Sequence, residues 1–343
     1  MANLKNLIGK TCDISLLKGI TFDSFNKQNQ ISKIVAKNFL KAKKKDKIKT
    51  SKCIICGSKN LRFATSVFSI EYIQCKKCSH VMRKYSYTRD FLLKFWKKKG
   101  DVIAVHSDKG QQKYRKKFLS MPKVEQVLKY SKKKKNFNWL DCGCGNGEFL
   151  ESVRKKGAKE FGFDLNEKDI KFAKKKKLKV IRADMKDFDN FNNNSIKFDV
   201  VSATGYFDVI NDPDKELKIV NKNMNRNGIM MIDVPNYESV THDMIRLFPN
   251  ESIRHLSAAQ RSSFTLKSLK YFLNKNGFKP IFRWVYGLDL YMIMNYLTLK
   301  NKDVERSKVM SVLVKRYNDF QKIFDEEKTS GTLFIIAKKV REI

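Results

Sequence analysis

The sequence predicts an α/β fold: a seven-stranded sheet with helices on both faces, preceded by a small cysteine-bearing ribbon and a helical lid. Three observations carry this expectation. From Phe137 onward, short runs of β-branched and apolar residues alternate with segments of helical period, as in a parallel sheet whose crossovers are helices. Residues 51 to 85 concentrate four of the seven cysteines. Between these zones, FLLKFWKKK and VEQVLKYSKKKK read as helices rich in Lys and aromatics, with no fixed repeat.

In chain order, residues 1 to 50 form a basic N-terminal arm that mixes short apolar stretches with Lys, ends in KAKKKDKIK and shows no clear period. A loosely structured or packing-dependent arm is expected there. Residues 51 to 85 are the ribbon, 86 to 135 the helical linker or lid, and 136 to 343 the α/β domain. Within that domain FNWLDCG, EFGFDLN, LKVIRADM, KFDVVSATG and NGIMMIDVP read as strands, followed by KPIFRWVYG and TLFIIAKK. GEFLESVRKKG, KDIKFAKKKK, DKELKIVNKNM and TLKSLKYFLNKNG fall between them with helical spacing, the last ending at a Gly suited to a C-cap.

Hydrophobic residues make up 42% of the 343 and aromatics 12%, which excludes a disordered tail or a fibre. No apolar run approaches the roughly eighteen residues needed to cross a bilayer, and MANLKNLIGKTCDISLLKG lacks a signal peptide's unbroken apolar stretch, so a soluble cytoplasmic protein is expected. Lys+Arg number 72 against 35 Asp+Glu, a balance of +37 that suits phosphate or an anionic surface. Only 14 of the 72 are Arg, the residue that grips phosphate with two parallel bonds, and Asn is abundant too, as in Asn192-Asn193-Asn194. An A/T-rich coding bias gives the same Lys excess, and the runs at 43 to 45, 132 to 135 and 174 to 177 are read as solvated faces.

Cys53-Ile-Ile-Cys56 and Cys75-Lys-Lys-Cys78, separated by eighteen residues, have the spacing of a four-thiolate zinc site. Two such knuckles close a tetrahedral ion without leaving a water position, so Zn2+ here is expected to be structural and to fold the segment. Disulfides are disfavoured without a secretory signal, and a redox pair does not need a second CxxC. His80 is a possible substitute ligand, but four thiolates suffice, and an exposed imidazole is expected. Cys142 and Cys144 lie in a glycine loop with no His nearby in sequence, and are read as packing residues; Cys12 is uninformative.

The segment from Trp139 to Glu148 is a hydrophobic strand running into Gly143-x-Gly145-x-Gly147 and then a helix. Glycines there permit a tight turn and close backbone approach, while the helix start offers N–H groups to an anionic part of a ligand. Asp164, nineteen residues after Gly145 and at the end of the next strand, is placed to accept both hydroxyls of an adenosine ribose. After the third strand, Ala183-Asp184-Met185 place a carboxylate for an adenine amino group and a thioether to pack on the ring. A dinucleotide site would carry GxGxxG, whereas this chain has GCGNG.

With these motifs, DCGCGNG, Asp164 and Ala183-Asp184-Met185, the chain resembles the class I S-adenosylmethionine-dependent methyltransferases over about residues 137 to 340. The resemblance implies a Rossmann-like methyltransferase sheet and S-adenosyl-L-methionine as cofactor, held by Asp141, Gly143, Cys144, Gly145, Gly147, Asp164, Leu165, Asp184, Met185 and Ala203. FDVVSATGYFDVINDPDKEL looks like the family's fourth strand and following loop, with Asp208-Val209 where many relatives carry Glu-His. Together with the cysteines, Arg254-His255-Leu256, Phe264-Thr265 and Ser268-Leu269 resemble zinc-ribbon methyltransferases of bacterial sugar and surface-polysaccharide pathways, several of which act on nucleotide-linked deoxysugars.

Methyl transfer from a sulfonium is an in-line displacement in which the protein supplies alignment and desolvation. A hydroxyl or acidic C–H acceptor also needs a proton acceptor, for which His is the usual residue. Of His80, His106, His242 and His255, the last is the first candidate, with Tyr206, Asp208, Tyr237 and Arg254 as acceptor-pocket candidates and Arg254 suited to a phosphate. The leading expectation is a small-molecule acceptor, a nucleotide-sugar or surface-polysaccharide precursor. An RNA methyltransferase gripping phosphates with the ribbon and Lys tracts is the runner-up, disfavoured because no Asn-Pro-Pro-Tyr-type motif is present. A non-catalytic binding or scaffold protein is the third reading, opposed by the intact loop glycines and both carboxylates.

Overall fold

The computed structural model describes residues 4–95, 109–133, 135–192, 195–251, 255–256 and 259–343. The seven expected strands are all present: β7 (Asn138–Cys142), β8 (Lys159–Asp164), β9 (Val180–Arg182), β10 (Phe198–Thr204), β11 (Met224–Pro235), β13 (Phe278–Tyr286) and β14 (Thr332–Lys339). An eighth, β1 (Lys5–Ile8), comes from the N-terminal arm, giving the order β1-β13-β14-β11-β10-β7-β8-β9. Every pairing is parallel except the two made by β14, so all the other strands end at one edge of the sheet. The order reverses between β7 and β10, and a crevice opens outside their carboxyl ends.

The crossover helices start where the local chemistry prescribes. Asn166 accepts from the Lys168 and Asp169 N–H groups to open Glu167–Lys175, and Asp212 followed by Pro213 opens Pro213–Asn223. Thr265 and Ser268 cap Leu266–Lys275 reciprocally. That helix ends at Gly277 with φ +78°, where a Cβ would come within 2.6 Å of the Arg341 carbonyl.

The N-terminal arm departs from the expectation of a patternless segment. Phe22–Leu40 is a 19-residue helix that buries Phe25, Asn29, Ser32, Val35, Ala36 and Phe39. The stripe is regular, but Asn29 and Ser32 occupy two of its positions, so an apolar count sees no period. Phe39 is fully buried against the rings of Tyr87, Phe91 and Phe95, while Phe25 meets Tyr291. The arm is therefore part of a second core, shared with Asp289–Lys300 and Tyr317–Glu326 between β13 and β14.

Residues 61–83 form the ribbon's antiparallel strands β3 (Leu61–Val67), β4 (Ile70–Cys75) and β5 (Val81–Arg83). The sheet is completed by β12 (Ser262–Ser263), which pairs with β5 from the far side of the chain, so the ribbon is welded to the α/β domain by backbone hydrogen bonds. A further ladder joins β2 (Lys47–Lys49) to β6 (Tyr85–Tyr87). Residues 89–95, Lys109–Arg115 and Met121–Leu128 are helical, and Arg89, Leu92, Leu93, Arg115 and Lys123 among them line the crevice cavities. No helix among the described residues is long and apolar enough to cross a membrane.

Phe39→Ala is expected to lower the stability of the whole chain by about 3–5 kcal/mol, the usual loss for emptying a fully buried aromatic site. Chemical denaturation followed by tryptophan fluorescence measures it; an unchanged midpoint would show that the arm does not share the core.

Candidate functional site

The crevice is built around the turn from β7 into the helix Glu148–Lys155. Gly143 has φ +70°, and a Cβ there would meet the Tyr206 ring at 2.9 Å. Gly147 has φ +77° and lies against Leu178, where a Cβ would come within 2.3 Å of a methyl group. Gly143 thus clears room in the crevice, while Gly147 lets the helix seat on the sheet. Asp164 pins the turn from the neighbouring strand: Oδ2 accepts from the Gly145 N–H at 3.0 Å and Oδ1 from the Asn166 N–H at 2.8 Å.

Two cavities flank this turn. One, of about 450 Å³, is lined by Gly143, Phe163, Asp164, Leu165, Ala183, Asp184, Gly205 and Tyr206, with Arg89, Leu92 and Leu93 from the lid. The other, of about 300 Å³, is lined by Asp141, Gly143, Cys144, Gly145, Asn146 and Thr204, with Arg115, Leu119 and Lys123 from the lid. Most of the residues expected to hold a cofactor therefore line one or other of these two cavities, which share Gly143 and Asp169. Gly147, Ala203 and Met185 line neither: Gly147 lies against Leu178 and Ala173, Ala203 is buried in the sheet, and Met185 is only 1% exposed in the core with Phe163 and Phe188. Its helix, Met185–Asn192, turns the thioether inward, so the expected packing of Met185 on a ligand ring is corrected.

The polar groups of the crevice are already engaged. Asp184 Oδ2 accepts from Arg89 Nε at 3.0 Å and Nη2 at 2.5 Å, and its Oδ1 accepts from the Asp187 N–H at 2.9 Å. These bonds, opposing its burial, hold the Asp184 carboxyl below its usual range. Asp141 accepts from Ser202 Oγ at 2.6 Å, but burial dominates and pushes it up to about 7. Tyr206 donates to Glu216 Oε2 at 2.5 Å, and burial raises Glu216 to about 7. On the lid side, Arg115 pairs with Glu148 at 3.1 Å and Lys123 pairs with Asp233, which also accepts from the Tyr286 hydroxyl at 3.0 Å. Sequence reasoning missed Arg89, Arg115, Lys123 and Glu216; only Glu216 carried a local signal, as an acid in the first turn of a helix next to the loop after β10.

The acceptor candidates are scattered. Asp208 is 1% exposed, with Oδ2 accepting from Gln260 Nε2 at 2.9 Å and its carbonyl accepting from the N–H groups of Arg261 and Ser262. Its Oδ1 is buried with no hydrogen-bond partner, 4.0 Å from where a Cβ on crevice-lining Gly205 would sit, and burial raises it to about 7. Tyr237 lines a separate groove with Arg62, Phe63 and Arg246. His255 lies outside the crevice lining, stacked on His242 at 5.5 Å and against Gly331. His242 is bracketed by the Ser239 and Ser263 hydroxyls, and burial lowers it to about 3. Arg254 and His106 lie outside the described residues.

The four ribbon cysteines converge, all sulfurs within 4.8 Å of one another, with Cys53–Cys78 and Cys56–Cys75 at 3.5 Å. A tetrahedron with metal–sulfur bonds of about 2.3 Å has edges of about 3.8 Å, so the donor set fits a closed tetrathiolate ion. Gly57 with φ +74° makes one knuckle turn. His80 corrects the expectation of an exposed imidazole: it is fully buried, its ring 4.5 Å from that of Phe264, and burial lowers it to about 3. Cys142 and Cys144 are buried packing residues, as their loop position implied, with thiols pushed well up by burial.

Residues 111–281 match the model of a family described as a methyltransferase domain. A stretch of 103 residues is 36% identical to the ubiquinone biosynthesis O-methyltransferase of Pelagibacter ubique, covering 29% of this chain and 42% of that protein; the chain thus spans well under half of this relative's length. Among solved structures, a SAM-dependent methyltransferase from Archaeoglobus fulgidus is 19% identical, over 67% of this chain and 97% of that one, with a TM-score of 0.46. The magnesium protoporphyrin IX methyltransferase of Synechocystis PCC 6803 is 10% identical over 74% and 100%, also with a TM-score of 0.46.

Burial raises Asp141, Asp208 and Glu216 in the folded chain, so the folded state holds protons that the unfolded state has released. Their contribution is full below the ordinary carboxylate range and is lost as pH rises to about 7. The unfolding temperature of Asp208→Asn minus that of the unsubstituted chain is therefore expected to grow steadily between about pH 4 and 7. A pH-independent difference would place the carboxyl in water.

Proposed function

We propose that the chain transfers a methyl group from S-adenosylmethionine to a small-molecule acceptor. The observation that carries this reading is the crevice at the sheet's reversal point, where the glycine turn, Asp141 and Asp164 meet within a methyltransferase domain. The cofactor supplies a sulfonium methyl group open to in-line attack. Asp164 is assigned to the ribose hydroxyls and Asp141 to the methionyl ammonium, whose charge would draw the raised carboxyl back into its ionised form. Arg115 and Lys123 offer positive charge to the methionyl carboxylate. Leu165 and Ala183 flank the space assigned to adenine, whose amino group shares Asp184 with Arg89. Tyr206–Glu216 and Asp208, with carboxyls near neutrality, are assigned to hold the acceptor or its proton in place of His255.

For the acceptor, a sugar or surface-polysaccharide precursor is the first class to test, supported by the ribbon-plus-domain layout. A phenolic hydroxyl is the second, suggested by the relative named as an O-methyltransferase. Zn2+ is assigned to Cys53, Cys56, Cys75 and Cys78 as a structural ion.

Asp164→Ala is expected to weaken S-adenosylmethionine binding by roughly 100-fold, about 3 kcal/mol, through lost charge-assisted hydrogen bonds, while circular dichroism stays unchanged. Calorimetry with unchanged affinity would remove the ribose assignment. Purified chain is expected to carry one zinc per molecule by elemental analysis, and Cys78→Ser to lose most of it; a metal-free, fully folded chain would remove the metal assignment. Transfer of an isotope-labelled methyl group, followed by mass spectrometry on nucleotide-sugar and phenol pools, decides between the acceptor classes.

A further inference from the structure

Lys10 follows β1, and the chain just before it is pinned to the end of β13: the Gly9 N–H donates to the Val285 carbonyl at 2.9 Å, and the Trp284 indole N–H donates to the Gly9 carbonyl at 2.8 Å. The Lys10 ammonium nitrogen lies 5.0 Å from the ring centre of Tyr286 and 5.3 Å from that of Trp284. Among the described residues it is buried with no hydrogen-bond partner. Lys123 stands 5.9 Å from the centre of the same Tyr286 ring and pairs with Asp233, whose Oδ2 also accepts from the Tyr286 hydroxyl. Two lysines therefore flank one phenol ring whose hydroxyl rests on one carboxylate, and Lys123 holds that carboxylate. A buried ammonium without an acceptor readily gives up its proton. Burial, reinforced by Lys123 and opposed by Asp233, brings Lys10 down to about 7.

The cluster borders the smaller crevice cavity. Lys123 lines that cavity, and Thr204, another of its lining residues, is the register partner of Asp233 on the adjacent strand. We propose that Lys10 is a positioning residue for the cofactor: when the cofactor's carboxylate draws Lys123 away from Asp233, Lys10 takes over Asp233 as its counter-ion and accepts a proton from solvent. The inference rests on the assignment of Lys123 to the methionyl carboxylate. Charge balances on both sides of the step. Without cofactor, one ammonium pairs with one carboxylate and the second lysine is neutral; with it, two ammoniums face two carboxylates. In a chain lacking Lys10 the same exchange leaves the buried Asp233 carboxylate with the Tyr286 hydroxyl alone, a costly state. The charged and titratable groups facing Lys10 are Lys123 on the lid helix, Asp233 on β11, Tyr286 on β13 and Cys12 on its own loop, with Asp13 and Asp325 around Cys12. Burial pushes the Cys12 thiol up to about 11, Ser15 holds Asp13 low, and Asp325 is raised to about 6, so these three keep their charge near pH 8.

Protons taken up per ligand are counted by calorimetry near pH 8 in buffers of differing ionisation enthalpy, with S-adenosylhomocysteine, which carries the same carboxylate, as the ligand. The unsubstituted chain is expected to take up most of one proton more than Lys10→Met, since the ligand is the same and only Lys10 differs. Its affinity is expected to exceed that of Lys10→Met by roughly tenfold at pH 7, the weight of one pKa unit. That gap closes toward about pH 10, where the proton on Lys10 is no longer held. Asp233→Asn, which removes the shared counter-ion, is expected to abolish the extra uptake as well, and serves if Lys10→Met does not fold. Equal uptake in the unsubstituted chain and these variants would make Lys10 a packing residue and overturn the proposal. Equal uptake with 5′-methylthioadenosine, which lacks the carboxylate, would overturn it too. An unsubstituted chain that binds no S-adenosylhomocysteine would instead overturn the cofactor reading beneath it.

Discussion

The hydrogen bond from the Gly145 N–H to Asp164 Oδ2 fixes the geometry on which the crevice depends. It links the turn after β7 to the end of the neighbouring strand β8, beside the β7–β10 gap where the strand order reverses, so the glycine turn is held from outside itself. Any looser turn would let Tyr206, already under Gly143, rise into the space. The same carboxylate that shapes the turn also lines the cavity.

Around that point the chain closes the crevice from several directions. Arg89 approaches from one end of the lid and Lys123 with Arg115 from the other, each onto a carboxylate of the α/β domain. The Arg89 pair, with its guanidinium more than half exposed, contributes little to stability, whereas Lys123–Asp233 is nearly buried on both sides. The ribbon is different in kind. It is joined to the α/β domain by the backbone pairing of β12 with β5 and by buried Arg261.

Regular alternation of strands and helices made the sheet readable, because strands such as β10, β11 and β14 are buried along most of their length and appear as apolar runs. The spacing of the cysteines already brought Cys53, Cys56, Cys75 and Cys78 together, and Asp164 stands at the end of its strand beside the glycine turn, as its distance from Gly145 suggested. Three features were not legible. β1 is only four residues long and exposed along its length, so it has no apolar pattern to find. The Phe22–Leu40 helix hides its stripe behind Asn29 and Ser32. Arg89, Lys123 and Arg261 act through partners far away in sequence, which no local window sees. Met185 shows the converse failure, since a motif placed it at the cavity but the start of a helix turned it into the core.

The pairing of Lys5–Ile8 with Phe282–Val285 bears on how this polypeptide emerges from a ribosome. Lys5–Ile8 is made about 280 residues before Phe282–Val285, the strand it pairs with among the described residues. During that interval it has nothing to zip against, and loop closure over such a span is slow. Once docked, it covers the margin of Phe278–Tyr286 against strand addition by other chains.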